Sequence, residues 1–380
     1  MNLHRPLHVG LNAHLLSGER SYRSAGVHQY VRHLLRHLPE AGCRVTAFLG
    51  RDCLQPVGGC AVRCSHLPTG RPYARVIWEQ FVQPYALCRE RVDLAHAPVF
   101  VAPLAASCPL VVTIHDLSFL RLPHVFHPAK RLYLNVFTRA SVRRAQRIIA
   151  VSTHAAEETA RLLGVQRGRV DVICHGVDSE FHPRSPEEVR AFRERRGLPE
   201  RFLLFVGTLE PRKNLVRLVE AFARLREPGL KLVLAGGRGW SYEEILARVE
   251  DLELEEEVVL PGFIPGDELP LWYNAATLLV YPSLYEGFGM PILESLASGT
   301  VVLTSDRSSL PEAAGDGALL VDPYDVDAIA EGMHQLLTDE LLRRELRRRG
   351  MIHAARFSWA QMAIETVGVY RRALSGEDRG

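Results

Sequence analysis

Two glutamates eight positions apart close the densest chemical signal in the chain, Tyr281-Pro-Ser-Leu-Tyr-Glu-Gly-Phe-Gly-Met-Pro-Ile-Leu-Glu294, in which they are Glu286 and Glu294. A strand over 277–281 runs into a loop with Gly287 and Gly289. A helix is then expected over 290–297 with Pro291 in its first turn, where a missing amide costs nothing. The backbone N–H groups of Phe288, Gly289 and Met290 face outward from such a helix start, a place that binds anions and polar ligands. With Glu294 one turn into the helix and Glu286 at the loop end, both carboxylates can reach one elongated ligand. The plainer alternative makes Glu286 a helix-start carboxylate that satisfies the dipole and Glu294 a surface residue.

Two further groups have the chemistry to join them. Arg212 and Lys213 stand between a strand (202–206) and a helix (215–225), and a guanidinium fork beside a compact ammonium suits a phosphate. Taken alone, such a pair reads as solvated surface. Gly236 and Gly237 follow the next strand (230–235) and allow close backbone approach. In the first half, Ile114-His-Asp-Leu117 ends a strand with two polar residues, His115 and Asp116.

The elements that must position these residues alternate. Strands at 7–11, 44–49, 109–114, 147–151 and 170–173 are interleaved with helices at 26–38, 128–145 and 152–163. A charged helix-like run flanked by Pro183, Pro186 and Pro199 marks a linker, 181–200. The pattern then restarts, with strands at 202–206, 230–235, 258–260, 277–281, 301–304 and 318–321. Helices at 215–225, 241–251, 290–297, 326–337 and 341–357 lie between and after them. This predicts an α/β protein of two Rossmann-like, doubly wound domains in tandem, residues 1–180 and 201–357, with ligands at the carboxyl ends of the strands.

Composition sets the outer bounds. The chain has 380 residues, 47% of them hydrophobic and 24% charged, which is ordinary globular material and enough for two cores. The start lacks the basic segment and apolar run of a secretory signal, so a cytoplasmic location is expected. The seven cysteines form no CxxC pair and read as reduced thiols. Net charge is only +2, against a nucleic-acid binder, but residues 1–190 hold 24 Lys/Arg against 14 Asp/Glu. A basic first half draws in an anionic acceptor or sits peripherally on the inner membrane face, where each basic group adds about 1 kcal/mol. The alternative is a solvated surface whose sign attracts the acidic second half.

The segment from Glu286 to Glu294 resembles the signature of retaining glycosyltransferases of family 4. Val206-Gly-Thr-Leu-Glu-Pro-Arg-Lys-Asn-Leu215, Leu234-Ala-Gly-Gly-Arg-Gly-Trp240, Ser309-Leu-Pro-Glu312, Leu320-Val-Asp-Pro323 and Phe357-Ser-Trp359 resemble it as well. So do His115-Asp116 and the helix start at Gly26. The likeness covers nearly the whole chain and is strongest to the branch containing bacterial O-antigen mannosyltransferases. It implies the two-domain GT-B fold, an active site in the interdomain cleft, and a C-terminal helix within 358–380 that crosses back to the first domain.

The resemblance also implies roles. Glu286 lies beside the donor sugar and Glu294 on the ribose, while Arg212 and Lys213 bind the diphosphate. Gly26 opens a helix facing the diphosphate, preceded by a mobile stretch, 17–25. Gly207, Gly236 and Gly237 let the backbone approach the nucleotide, whose base packs near Phe263 and Ile264. His115 contacts the donor sugar, and Asp116 organises its loop or approaches the acceptor. Thr208 stands where many relatives carry arginine, and Arg212 is the candidate replacement for that charge.

The implied partners are a nucleotide-sugar donor, GDP-mannose first, and a glycan, lipid-linked or small-molecule acceptor. No cofactor and no metal are expected, because cationic side chains take the place of a metal at the diphosphate. Front-face displacement with retention is the favoured course. The alternatives are a UDP- or dTDP-sugar transferase, a sugar-nucleotide epimerase of the same fold, and a carbohydrate-binding protein without turnover.

Overall fold

Strands buried on both faces need continuous apolar runs, and the chain supplies them at Leu110–Ile114, where all five side chains are buried, and at Phe202–Phe205. The computed structural model of the chain describes residues 5–14, 16, 26–50, 58–69, 71–123 and 126–376. Two units emerge: one holds the residues up to Gly176 and those from Ser358 onward, the other Val177–Phe357.

Among the described residues, the first unit carries β1 (Leu7–Asn12), β2 (Cys43–Leu49), β3 (Ala61–Cys64), β4 (Leu94–Ala97), β5 (Leu110–Ile114), β6 (Arg147–Ala150) and β7 (Val170–Val172). They pair in parallel in the order β3-β2-β1-β4-β5-β6-β7. Ser152 caps the helix Thr153–Leu163 by accepting from the Ala155 N–H at 3.0 Å. The helix Trp359–Ser375 belongs to this unit. Its Trp359 stacks on His33 with ring centroids 4.1 Å apart, and its Tyr370 hydroxyl lies 2.7 Å from His96 Nδ1. The expected mobile stretch 17–25 lies outside the described residues.

The second unit carries β8 (Arg201–Val206), β9 (Leu230–Ala235), β10 (Val258–Gly262), β11 (Leu278–Tyr281), β12 (Val302–Ser305) and β13 (Ala318–Val321). Their order is β10-β9-β8-β11-β12-β13, again parallel. The helix Leu215–Leu225 buries Leu215, Leu218, Val219 and Phe222, the spacing of one helical face.

The stretch 181–200 keeps the helix its charged run announces but belongs to the second unit instead of linking the two. It forms the helix Pro186–Arg196, opened by a capping box between Ser185 and Glu188. Phe192, the lone aromatic of a charged run, is buried edge-on against Trp272, and the Asn274 side chain accepts from the Arg184 N–H at 2.7 Å. The helix is thus packed into the second unit. Cys43, Cys60, Cys88 and Cys108 are free thiols, but Cys64 takes part in a disulfide, so the fully reduced set does not hold.

Candidate functional site

In the second sheet β9 and β10 lie to one side of β8, and β11, β12 and β13 to the other, so the winding reverses between β8 and β11. Crevices beyond the carboxyl ends of strands at such a point receive ligands. The loop after β8 ends in a short turn, Pro211–Lys213, and Asn214 closes it in a left-handed conformation. The Asn214 amide pins the turn by donating to the carbonyls of Pro282 at 3.1 Å and Pro323 at 2.6 Å.

This turn aims two cations at one carboxylate. Lys213, only 5% exposed, donates from Nζ to the Tyr281 hydroxyl at 2.6 Å and to Glu286 Oε1. Arg212 donates from Nη1 to Glu286 Oε2 at 2.7 Å and from Nε to Glu210. The Tyr281 hydroxyl also donates to Glu286 Oε1, at 3.0 Å. The Glu286 backbone is held by its N–H donating to Ser308 Oγ, and by the hydroxyls of Ser308 and Ser309 donating to its carbonyl.

Burial alone would raise the Glu286 carboxyl, but Arg212 and Lys213 outweigh it and hold the group at about 2. Burial and the neighbouring Arg212 charge press the Lys213 ammonium down from its ordinary value, against Glu286, which raises it. Two cations and two carboxylates, Glu210 and Glu286, therefore form a largely water-excluded, balanced cluster. Its charges are in place before any ligand arrives.

The glycines serve the same loops. Gly207 and Gly236 have φ of 151° and 155°, and a Cβ on Gly236 would fall 1.8 Å from the Gly207 carbonyl oxygen. The neighbouring strand end by itself therefore requires glycine at 236. Gly237 accepts from the Leu209 N–H at 3.0 Å, and Thr208 lies against Gly239.

Gly289, at φ 116°, opens the helix Met290–Ala297, with Phe288 buried before it. From this helix Glu294 Oε2 accepts from the Tyr273 hydroxyl at 2.8 Å. Burial raises the Glu294 carboxyl to about 7, with Asp178 adding to the rise and the Tyr273 bond opposing it. Phe263 is 43% exposed and Ile264 buried, and both line a cavity of about 250 Å³ with Val233, Glu268 and Trp272. Asp325-Val326-Asp327 has the Asp-x-Asp pattern of a metal site. Asp325 instead caps a helix through the N–H groups of Asp327 and Ala328, and Asp327 pairs with Arg224.

In the first unit His115, at the end of β5, is buried and donates from Nε2 to the Pro98 carbonyl at 2.8 Å. Its ring stacks on His175 and meets Tyr30 edge-on. Burial lowers its pKa, against the Pro98 bond and Asp116, which favours neutral imidazole. Asp116 Oδ1 accepts from the Ser118 N–H at 2.9 Å, a loop-organising contact. Gly26 is the first residue of the helix Gly26–Glu40.

A second polar cluster escaped the sequence reading. Beyond β1, at the point where the first sheet reverses between β1 and β4, the His14 ring approaches Asn12 Oδ1 at 2.5 Å and Glu79 at 3.2 Å. The Tyr133 hydroxyl donates to Glu79 Oε2 at 2.8 Å. Burial raises Glu79 to about 7 and lowers His14 to about 3. These four residues come from three distant segments, and only the position of Asn12 and His14 after an apolar strand could have flagged them.

Residues 24–181 match the profile described as Glycosyltransferase Family 4, and residues 188–353 match Glycosyl transferases group 1. The chain is 35% identical over 297 residues to O-antigen chain mannosyltransferase B of Escherichia coli, covering 76% of this chain and 77% of that one. It is 30% identical over 391 residues to D-inositol 3-phosphate glycosyltransferase 1 of Catenulispora acidiphila, covering 93% and 92%. Among solved structures, Anabaena HepE in complex with UDP and glucose superimposes with a TM-score of 0.78 over 97% of this chain and 100% of its own, at 20% identity. With two parallel-sheet domains and these matches, the chain belongs to the family 4 glycosyltransferases and has the GT-B fold.

Proposed function

We propose that the protein transfers mannose from GDP-mannose, with retention and without a metal, to a glycan, lipid-linked or small-molecule acceptor. The observation that carries this reading is the buried Lys213 and half-buried Arg212 gathered on Glu286 at the reversal of the second sheet. A diphosphate entering there competes with Glu286 for the two cations. The carboxylate it displaces becomes available to a hydroxyl of the donor sugar.

As the bond from the anomeric carbon to the phosphate oxygen breaks, negative charge grows on the diphosphate, where Lys213 and Arg212 stabilise it. The acceptor oxygen bonds to the anomeric carbon on the same face, and its proton passes to the departing phosphate oxygen. Glu294 accepts from the ribose, and Phe263 and Ile264 flank the base. The backbone from Phe288 to Met290 faces the diphosphate.

Mannose is favoured by the O-antigen mannosyltransferase relative. A second reading, a UDP-hexose donor with a phosphorylated polyol acceptor, draws on the inositol phosphate glycosyltransferase and on HepE with UDP and glucose. Labelled GDP-mannose and UDP-hexoses offered to both acceptor classes, with the product anomer read by NMR and with chelator present, decide between them. Turnover of GDP-mannose to an α-linked product in chelator supports the first reading. Inversion, or strict dependence on an added metal, contradicts it.

A further inference from the structure

A row of large apolar side chains stands on the surface of the first unit. Tyr73, Ile77, Phe81 and Tyr85 recur every four residues along 72–90, and Tyr73, Phe81 and Tyr85 are 61%, 73% and 70% exposed. A spacing of four over-rotates slightly on an α-helix of about 3.6 residues per turn. Here, however, the segment Trp78–Val82 winds as the wider π form between two α-helical pieces, where a spacing of four under-rotates. The two errors offset, and the row stays on one face.

The helix Pro128–Arg144 extends this face. Its Leu132 and Val136 are exposed, and between them Tyr133 ties the two segments by its bond to Glu79 and by lying under the Arg75 guanidinium. The charges of 71–90 and 127–144 are one-sided, eight Lys/Arg against two Asp/Glu. Neither acid opposes them at the surface, because Glu79 is buried and Glu90 pairs with Arg63. Arg71, Arg89, Lys130, Arg131 and Arg143 are exposed.

We infer that this face docks the enzyme on an anionic lipid bilayer, the aromatic row entering the headgroup boundary while the basic side chains meet lipid phosphates. Exposed aromatic and aliphatic side chains ringed by arginine and lysine are what a bilayer interface selects. An apolar row of this size on a soluble surface marks an interaction site. The one-sided charge chooses the partner, since a second copy of the same basic face would repel it. This goes beyond the transfer reaction and does not depend on which sugar is moved.

Flotation of the full chain with vesicles of phosphatidylglycerol and phosphatidylethanolamine tests it, with phosphatidylcholine vesicles as control. Binding should be confined to the anionic vesicles and fall with salt. Phe81→Ser with Tyr85→Ser should weaken it about tenfold or more. Lys130→Glu with Arg131→Glu should weaken it about twentyfold or more, each basic group being worth a factor of about five. Both variants should keep the wild-type melting temperature and its shift by nucleoside diphosphate. Absence of binding to anionic vesicles, or equal binding by all three proteins, overturns the inference. So does a wild-type dimer, seen by light scattering, that these substitutions dissociate.

Discussion

Arg212 Nη1 donates a hydrogen bond to Glu286 Oε2 at 2.7 Å, although 74 positions separate the two residues in the chain. Lys213 binds the other oxygen of the same carboxylate, so one glutamate positions both of the cations proposed to meet the diphosphate.

Removing one of these cations should be felt by the phosphates. A lost charged donor costs about 1.5–3 kcal/mol. Lys213→Ala should therefore weaken nucleoside diphosphate binding by about tenfold or more and leave the free nucleoside largely unaffected, as measured by calorimetry. Equal losses for both ligands would remove Lys213 from the phosphate site.

Glu294 introduces a pH dependence. Its folded value of about 7, raised by burial, lies above the roughly 4.3 of an unfolded glutamate, so folding takes up a proton between the two. Its contribution to stability is full below the unfolded value and is lost as pH rises through 7. Accepting from ribose needs the ionised form, so nucleoside diphosphate binding should be about tenfold weaker at pH 6 than at pH 8. Glu294→Gln should flatten both profiles. Unchanged slopes in that variant would place the titration elsewhere.

The Gly207–Gly236 contact predicts a structural failure. A methyl group on Gly236 meets a carbonyl oxygen at 1.8 Å in a backbone conformation that disfavours side chains. Gly236→Ala should cost about 3 kcal/mol or more, read as a lowered denaturation midpoint. A midpoint within error of wild type would show that the strand ends separate freely.

Truncation before Ser358 removes Trp359 and Tyr370, both buried in the first unit against His33 and His96. The truncated chain should expose apolar surface and aggregate, with early proteolysis of the first unit. A monodisperse truncated protein of normal activity would contradict this.

Much of the frame was legible because its signals are local. The helix Leu215–Leu225 and the strand Leu230–Ala235 have the periods their apolar residues announce, and Asp116 finds its partner two residues away. The strand Leu94–Ala97 was hidden by its shortness and by His96, a polar letter that is fully buried on Thr113 and Tyr370. The helical stretch 72–90 was hidden because its exposed face is as apolar as its buried one. At the site, the residue types pointed to an anion, but the grip of Arg212 and Lys213 on Glu286 depends on which strands are neighbours. No pattern in the letters states that.

The central claim is that Glu286 works at the reacting end of the donor and Glu294 at the ribose, and steady-state kinetics of Glu286→Gln beside Glu294→Gln tests it most directly. An interaction felt only in the transition state lowers turnover when removed, whereas one felt equally in both states raises the Michaelis constant. Glu286→Gln should reduce turnover on the order of a hundredfold with modest change in donor affinity. Glu294→Gln should chiefly weaken donor and nucleoside diphosphate binding, with turnover at saturation near wild type. Full turnover by Glu286→Gln, or an exchange of the two profiles, would contradict the placement of the donor along this motif.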